Sequence, residues 1–232
     1  MMRSMAVRKP AVVLAGLCAA LTLAVPGTLW AKEPPPRVSS DGLELKKQTD
    51  QRLVYVKPGA DFSPYKRVAI LDCHVEFSKT WLREYNNSQR DPSRRIKDSD
   101  IQRAKTELSA QFKKVFTEEL QRNGGYVVVD TAAPDVLVLR PALINIQVSA
   151  PDLMAPGRST TYAQSAGQMT LYLELWDSAA NTIQARVMDA RVDPQMSGQR
   201  SSVVSNRAAA ERILESWAVE LHSALDAARG QP

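Results

Sequence analysis

The stretch Asp135–Ala150, DVLVLRPALINIQVSA, limits what this chain can fold into more than any other. From Ala142 onward, Ala142, Ile144, Ile146 and Val148 alternate with Leu143, Asn145, Gln147 and Ser149, which is the period of a strand with one face on a core. Val136–Leu139 is apolar at every position, as in a strand covered on both sides. Together they predict the central strand of a sheet. Pro141 cannot donate to a ladder, so it marks a bulge or an edge-facing position in that strand.

The flanking sequence supplies partners for it. Lys66–Phe77 reads as the first main strand, with Ala69, Leu71, Cys73, Val75 and Phe77 on one face and Val68, Ile70, Asp72, His74 and Glu76 on the other. Ser99 and Gln102 have the spacing of a capping box. Behind them, Ile101, Ala104, Leu108, Phe112, Val115, Phe116 and Leu120 form one apolar helical stripe, which Gly124-Gly125 ends. Tyr126–Asp130 reads as a short strand. Gln168–Trp176 and Thr182–Val192 read as a hairpin turned at Asp177–Asn181, and Leu43–Leu45 and Leu53–Val56 as minor strands. A last helix from about Ser205 to Arg229 carries the stripe Ala210, Ile213, Leu214, Trp217, Leu221, Ala224 and Leu225. The order strand, helix, four strands, helix predicts an α+β fold, a mostly antiparallel sheet of about five strands with two long amphipathic helices packed on it. The first helix should link parallel neighbours by a right-handed crossover.

The N-terminus bears on location. Arg3, Arg8 and Lys9 precede the apolar run Ala11–Val25, then Pro26, Gly27 and the small residue Ala31, the three-part layout of a secretory signal. The run is shorter than the ~20 residues a spanning helix needs. Residues 1–31 therefore read as a cleavable signal peptide, 32–40 as a Pro-rich extended leader, and 41–230 as a single α+β domain. A rival is a lipoprotein signal with Cys18 acylated; bulky Leu17 before it and the apolar run continuing past it argue against this. The expected location is the periplasm or cell envelope, with membrane association only if Cys18 is lipidated. Removing 31 of 232 residues leaves 201 and lowers the net charge from +5 by three, to +2. Neither that balance nor an exported location suits a nucleic-acid partner. Of the two cysteines only Cys73 remains, so no internal disulfide is expected.

Four phrases, PGADFSPYKRVAILD (58–72), APDVLVLRPALINIQVSAPD (133–152), GRSTTYAQSAGQMTLYLELWDS (157–178) and SNRAAAERILESWA (205–218), resemble the bacterial domain-of-unknown-function family 3313. The resemblance implies an exported envelope protein, often a lipoprotein. It brings no activity and no catalytic residues.

Three constellations remain. Asp72, His74 and Glu76 lie at alternate positions of one strand, donors of a type that holds divalent metal, although alternate side chains ~6.5 Å apart are widely spread for one ion. Cys73 and His74 point to opposite faces and cannot act as a pair, so Cys73 reads as a core residue. There is no nucleophile elbow, HExxH, CxxC or phosphate-cradling loop, and no cofactor is expected. Counting strand directions from the central strand places the loops 151–162 and 193–202 at one end of the sheet. Met154, Arg158, Met196, Arg200 and Arg207 then share a rim beside the start of the last helix, whose N-terminus adds positive potential. By the same count the arginine-rich stretch Ser78–Asp98 leaves from the opposite end. The reading is a non-enzymatic envelope module that binds a protein or an anionic envelope component through its loop rims. The alternative is a metal-dependent enzyme or hydrolase built on Asp72, His74 and Glu76.

Overall fold

The structure, a computed structural model, describes residues 34–148, 161–162, 167–193, 200–201 and 203–230, nearly all of them in the unit Pro36–Pro232. Its strands are β1 (Glu44–Gln48), β2 (Arg52–Val56), β3 (Arg67–Ile70), β4 (His74–Phe77), β5 (Val127–Val128), β6 (Val136–Val148), β7 (Thr161–Tyr162), β8 (Gly167–Asp177), β9 (Thr182–Val192) and β10 (Arg200–Ser201). The helices are α1 (Lys79–Ser88), α2 (Asp98–Leu120) and α3 (Val203–Ala228). The α+β class is as expected, but the main sheet is mixed and has eight strands, in the order β1-β2-β9-β8-β6-β3-β5 with β4 also on β6. The five mostly antiparallel strands and two helices read from the sequence undercount it for three reasons. The minor strands β1 and β2 join as full members through β9, Lys66–Phe77 divides in two, and the stretch after it folds into α1.

Pro141 accounts for the division. β3 runs parallel to β6, and the last bond of their ladder goes from the Leu71 N–H to the Leu139 carbonyl (3.0 Å). In a parallel ladder the next bond would come from the N–H of residue 141. Proline has none. The partner strand breaks there and resumes at His74 opposite Ala142 as β4, one residue out of phase. Val68 and Ile70, then Cys73 and Val75, all reach the core, while Leu71 is 46% exposed. The single alternation expected over Lys66–Phe77 therefore fails at Leu71.

A second phase change sits in β6 itself. Asn145 has φ 54°, a left-handed conformation that asparagine tolerates better than most residues. The register against β8 steps there from Ile144↔Thr170 to Gln147↔Gln168, and against β4 from Leu143↔Val75 to Ile146↔Phe77, one extra residue in each case and so a bulge. Leu137, Leu139 and Leu143 face the core before it and Ile146 after it. Expecting Ala142 and Ile144 on the face of Ile146 was wrong for this reason.

Both long helices cover one face. Phe112, Val115, Phe116 and Leu120 of α2, with Ile213, Leu214, Trp217, Leu221 and Leu225 of α3, pack on Val68, Ile70, Leu137, Leu139, Leu171 and Leu173. α2 starts a residue before Ser99: the Lys97 N–H donates to the Asp100 carboxylate (3.0 Å), so Asp100 takes the capping role assigned to Gln102. At its other end the chain turns through Gly125, where an added Cβ would lie 2.5 Å from the Leu120 carbonyl oxygen, and Tyr126 then enters the core. Among the described residues no helix is long and apolar enough to cross a membrane.

The opposite face of the sheet carries a smaller cluster of Leu43, Tyr55 and Ile183. Beside it Arg186 joins Glu174 (3.0 Å) to Asp41 (Nη1 to Oδ1, 3.1 Å), which ties the turn before β1 to the sheet. Hydrogen bonds from Arg186 and Ser39 lower the Asp41 carboxyl to about 2. A group depressed in the folded state stabilises above its unfolded value, ~3.9 for aspartate, and that contribution is lost as pH falls through the folded value. Asp41→Asn is therefore expected to lower the urea midpoint at pH 7 and to converge with the wild type near pH 2. An equal gap at both pH values would contradict the link.

Candidate functional site

Strand directions define the site. β3 and β4 run parallel to β6, so the end at which β6 finishes, near Val148, is also where β4 hands over to α1. β8 begins there and β9 finishes there, because both neighbouring pairs are antiparallel. α2 returns the chain from this end and α3 begins at it. The stretch Ser78–Asp98 therefore leaves from the same end as the other two loops, not the opposite one. The sequence count took the first strand and β6 as antiparallel; instead β5 and β6 lie on either side of β3 and parallel to it.

Parallel placement makes Ser78–Asp98 a wall. The Ser78 hydroxyl accepts from the Trp81 N–H (3.3 Å) and starts α1, which sets Trp81 on Phe77 with ring centroids 6.0 Å apart. Asn86 then grips Ile96 from both sides, its amide donating to the Ile96 carbonyl (3.0 Å) and its carbonyl accepting from the Ile96 N–H (2.8 Å). Ile96 is thereby buried at 7% exposure. What reads in sequence as an arginine-rich loop is a folded segment whose apolar residues face inward.

Between this wall and the two helices lies a groove of about 570 Å³. Its floor is the end of the sheet, Ile146, Val148 and Met169; Ile101, Ala104 and Leu108 of α2 form one side and Ala209, Ala210 and Ile213 of α3 the other. Phe77, Trp81 and Ile96 close it toward α1. The α2 stripe thus has two uses. From Phe112 on it is core, whereas Ile101, Ala104 and Leu108 are only partly covered. Sequence reasoning missed the groove because apolar periodicity is the same for a residue facing a core and one facing a cavity. Charges sit at its margin and are paired: Arg103 with Asp100 at 3.5 Å and Arg207 with Glu107 at 2.7 Å. Asp98 and Asp100 in the first turn of α2 offset the positive end of that helix.

The predicted site residues are distributed as follows. β7 pairs with β10, setting Tyr162 opposite Arg200 and Thr161 opposite Ser201. Arg200 stands in that ribbon, and Arg207 is exposed on α3. Met154, Arg158 and Met196 lie outside the described residues. On β4, His74 is exposed and its Nε2 lies 3.8 Å from Glu76, which is also 3.8 Å from Lys79. Asp72 precedes β4, in the break. Among the described residues no three His, Cys, Asp or Glu side chains stand close enough to share an ion, so the structure does not gather Asp72, His74 and Glu76 into a metal site. Cys73 is buried, and burial pushes its thiol up to about 12, far from the reactive thiolate. His222 lies against Tyr126, with Glu119 and Asp226 each 3.5 Å away.

No curated protein matches the sequence. Among solved structures the chain is similar to the PelC dodecamer from Paraburkholderia phytofirmans, at 12% identity and TM-score 0.34 over 78% of this chain and 99% of that one. It is also similar to a Xanthomonas campestris protein of the family DUF330, at 14% identity and TM-score 0.35 over 72% and 88%. Likeness at this level leaves function open. The family model described as "Protein of unknown function (DUF3313)" matches residues 37–221, in agreement with the resemblance read from the four sequence phrases, and the chain belongs to that family.

Proposed function

We propose that this protein is a non-enzymatic binding module of the cell envelope, exported by a cleaved signal peptide, and that it holds the hydrocarbon part of an envelope amphiphile in the groove at the end of its sheet. The groove carries this reading. Its volume of about 570 Å³ falls in the ~300–1,000 Å³ range of small-molecule sites, and its lining is mainly apolar, with Gln111, Gln147 and Gln168 among it. Ala104 of α2 and Ala209 and Ala210 of α3 line it with small apolar side chains, which leave room for an extended chain between the two helices. Arg158 and Arg200 would supply the polar contacts at a rim, and a membrane anchor would enter only through acylation of Cys18.

Filling the groove tests the reading. Ala210→Trp is expected to reduce binding of a single-chain anionic detergent at least tenfold by isothermal titration, while the thermal midpoint falls by only a few degrees, since Ala210 is half-buried at the cavity wall. Unchanged detergent affinity in a folded Ala210→Trp protein would refute it. Arg158→Ser with Arg200→Ser then probes the rim: the double change is expected to weaken an anionic detergent more than a neutral one of the same chain length.

A further inference from the structure

A second cavity, of about 660 Å³, lies on the other flank of α3, between that helix, the β1–β2 turn and the end of β9. It shares Ile213 with the groove but has the opposite chemistry. Lys47, Arg52, Arg191 and Arg212 line it, with Asp189 and Asp193 as the lining carboxylates and Thr49, Gln51 and Ser216 as neutral polar groups.

The carboxylates grip each arginine along one edge. Asp189, its side chain 5% exposed, accepts from Arg52 Nε (3.0 Å), from Arg191 Nε (3.2 Å) and Nη2 (2.9 Å), and from the Trp217 indole N–H (2.9 Å). Asp193, at 2%, accepts from Arg212 Nε (3.4 Å) and Nη2. Glu220 joins Arg52 and Arg191 at the border. Arg191 also donates to Ser216 and lies over the Trp217 ring at 5.5 Å. All three nitrogens of Arg191 are thus engaged within the protein. Arg52 is held by Nε and by an Nη2 shared between Asp189 and Glu220, and Arg212 by Nε and Nη2 on Asp193, so Nη1 is the nitrogen that each has left for a ligand. Lys47, on the exposed edge strand, adds an ammonium to the same cavity.

Lys47, Arg52, Arg191 and Arg212 meet three carboxylates once Glu220 is counted with Asp189 and Asp193, so one positive charge is in excess in this cavity. Its guanidinium groups have been fixed before any ligand arrives, and donors already ordered lose less freedom on binding. Planar guanidinium edges and a lysine ammonium together match the oxygens of a phosphoryl group. We infer that the cavity lined by Lys47, Arg52 and Arg212 is an anion site that takes a phosphoryl group, with Asp189 and Asp193 as the positioning residues that aim the arginines. The inference goes beyond the groove and stands or falls separately from it, since no groove contact is needed.

The probe is inorganic phosphate added to isotopically labelled protein at low ionic strength, followed by amide chemical shifts. Saturable shifts are expected at residues 47–52 and 191–193. Lys47→Glu, an exposed change with little effect on folding, should weaken binding at least about tenfold by replacing attraction with like-charge repulsion. Arg212→Lys keeps a charge for Asp193 but removes the second edge and should weaken it less. Shifts elsewhere only, or Lys47→Glu affinity equal to that of the wild type, would overturn the site. A soluble short-chain phosphodiester lipid distinguishes the source: tighter binding than phosphate, lost in Lys47→Glu, identifies a lipid headgroup, and equal binding identifies the free ion. Ala210→Trp should leave phosphate binding intact, which separates a failure here from a failure of the groove.

Discussion

Replacing Asp189 by alanine is expected to destabilise the protein by about 3–5 kcal/mol, the largest loss anticipated for any single polar change in it. Asp189 lies in β9, on the face of the sheet that α3 covers, and it is the shared acceptor for Arg52 of β2, Arg191 of β9 and Trp217 of α3. Deleting it leaves a buried indole N–H without its acceptor and two guanidinium groups with only Glu220 and Ser216 to hold them, and breaking a buried charged network from one side costs more than the network contributes. Asp189→Asn keeps one oxygen for Trp217 but loses the charge, so it should fall between. Urea unfolding of the three proteins at pH 7 checks the order. A loss below 1 kcal/mol for Asp189→Ala would mean that α3 is held by its apolar face alone.

Ile146→Ala should cost about 2–5 kcal/mol, and Gln147→Ala no more than about 0.5. Ile146 is 2% exposed in the main core, whereas Gln147 is half-buried at the groove. The comparison also tests the bulge. Because Asn145 shifts the phase, Leu143→Ala should match Ile146→Ala although the two positions are three apart, which no unbroken strand allows. Ile144→Ala should cost less than either. If Ile144 and Ile146 prove equally sensitive and Leu143 tolerant, the strand is regular and the phase change is wrong.

Those two positions show how far the sequence could be read. The identity of β6 as central strand was legible because thirteen residues carry a consistent apolar pattern, and the α2 and α3 stripes were legible because a 3.6-residue period over 23 and 26 residues has few alternatives. Pro141 was visible as a ladder defect, but not its effect on a neighbour, since nothing in residues 66–77 says which strand lies beside them. Asn145 gave no warning, because a bulge is fixed by two strands together and not by either one. The end of the sheet from which Ser78–Asp98 leaves was misjudged for the same reason: direction depends on pairing. The candidate groove was hidden more deeply. Ile101, Ala104, Ala210 and Trp81 carry no signal that separates a cavity wall from a core, while the acidic and basic residues that drew attention, Asp72, His74 and Glu76, were prominent only by their chemistry.

The central claim is that the groove holds hydrocarbon, and native mass spectrometry of the protein released gently from its own envelopes tests it most directly. The account predicts a folded species carrying one noncovalent adduct of amphiphile mass, extractable by organic solvent and strongly reduced in Ala210→Trp. Protein recovered at its bare polypeptide mass under conditions that retain lipid on a known carrier, or an adduct that persists undiminished in the Ala210→Trp protein, would contradict it.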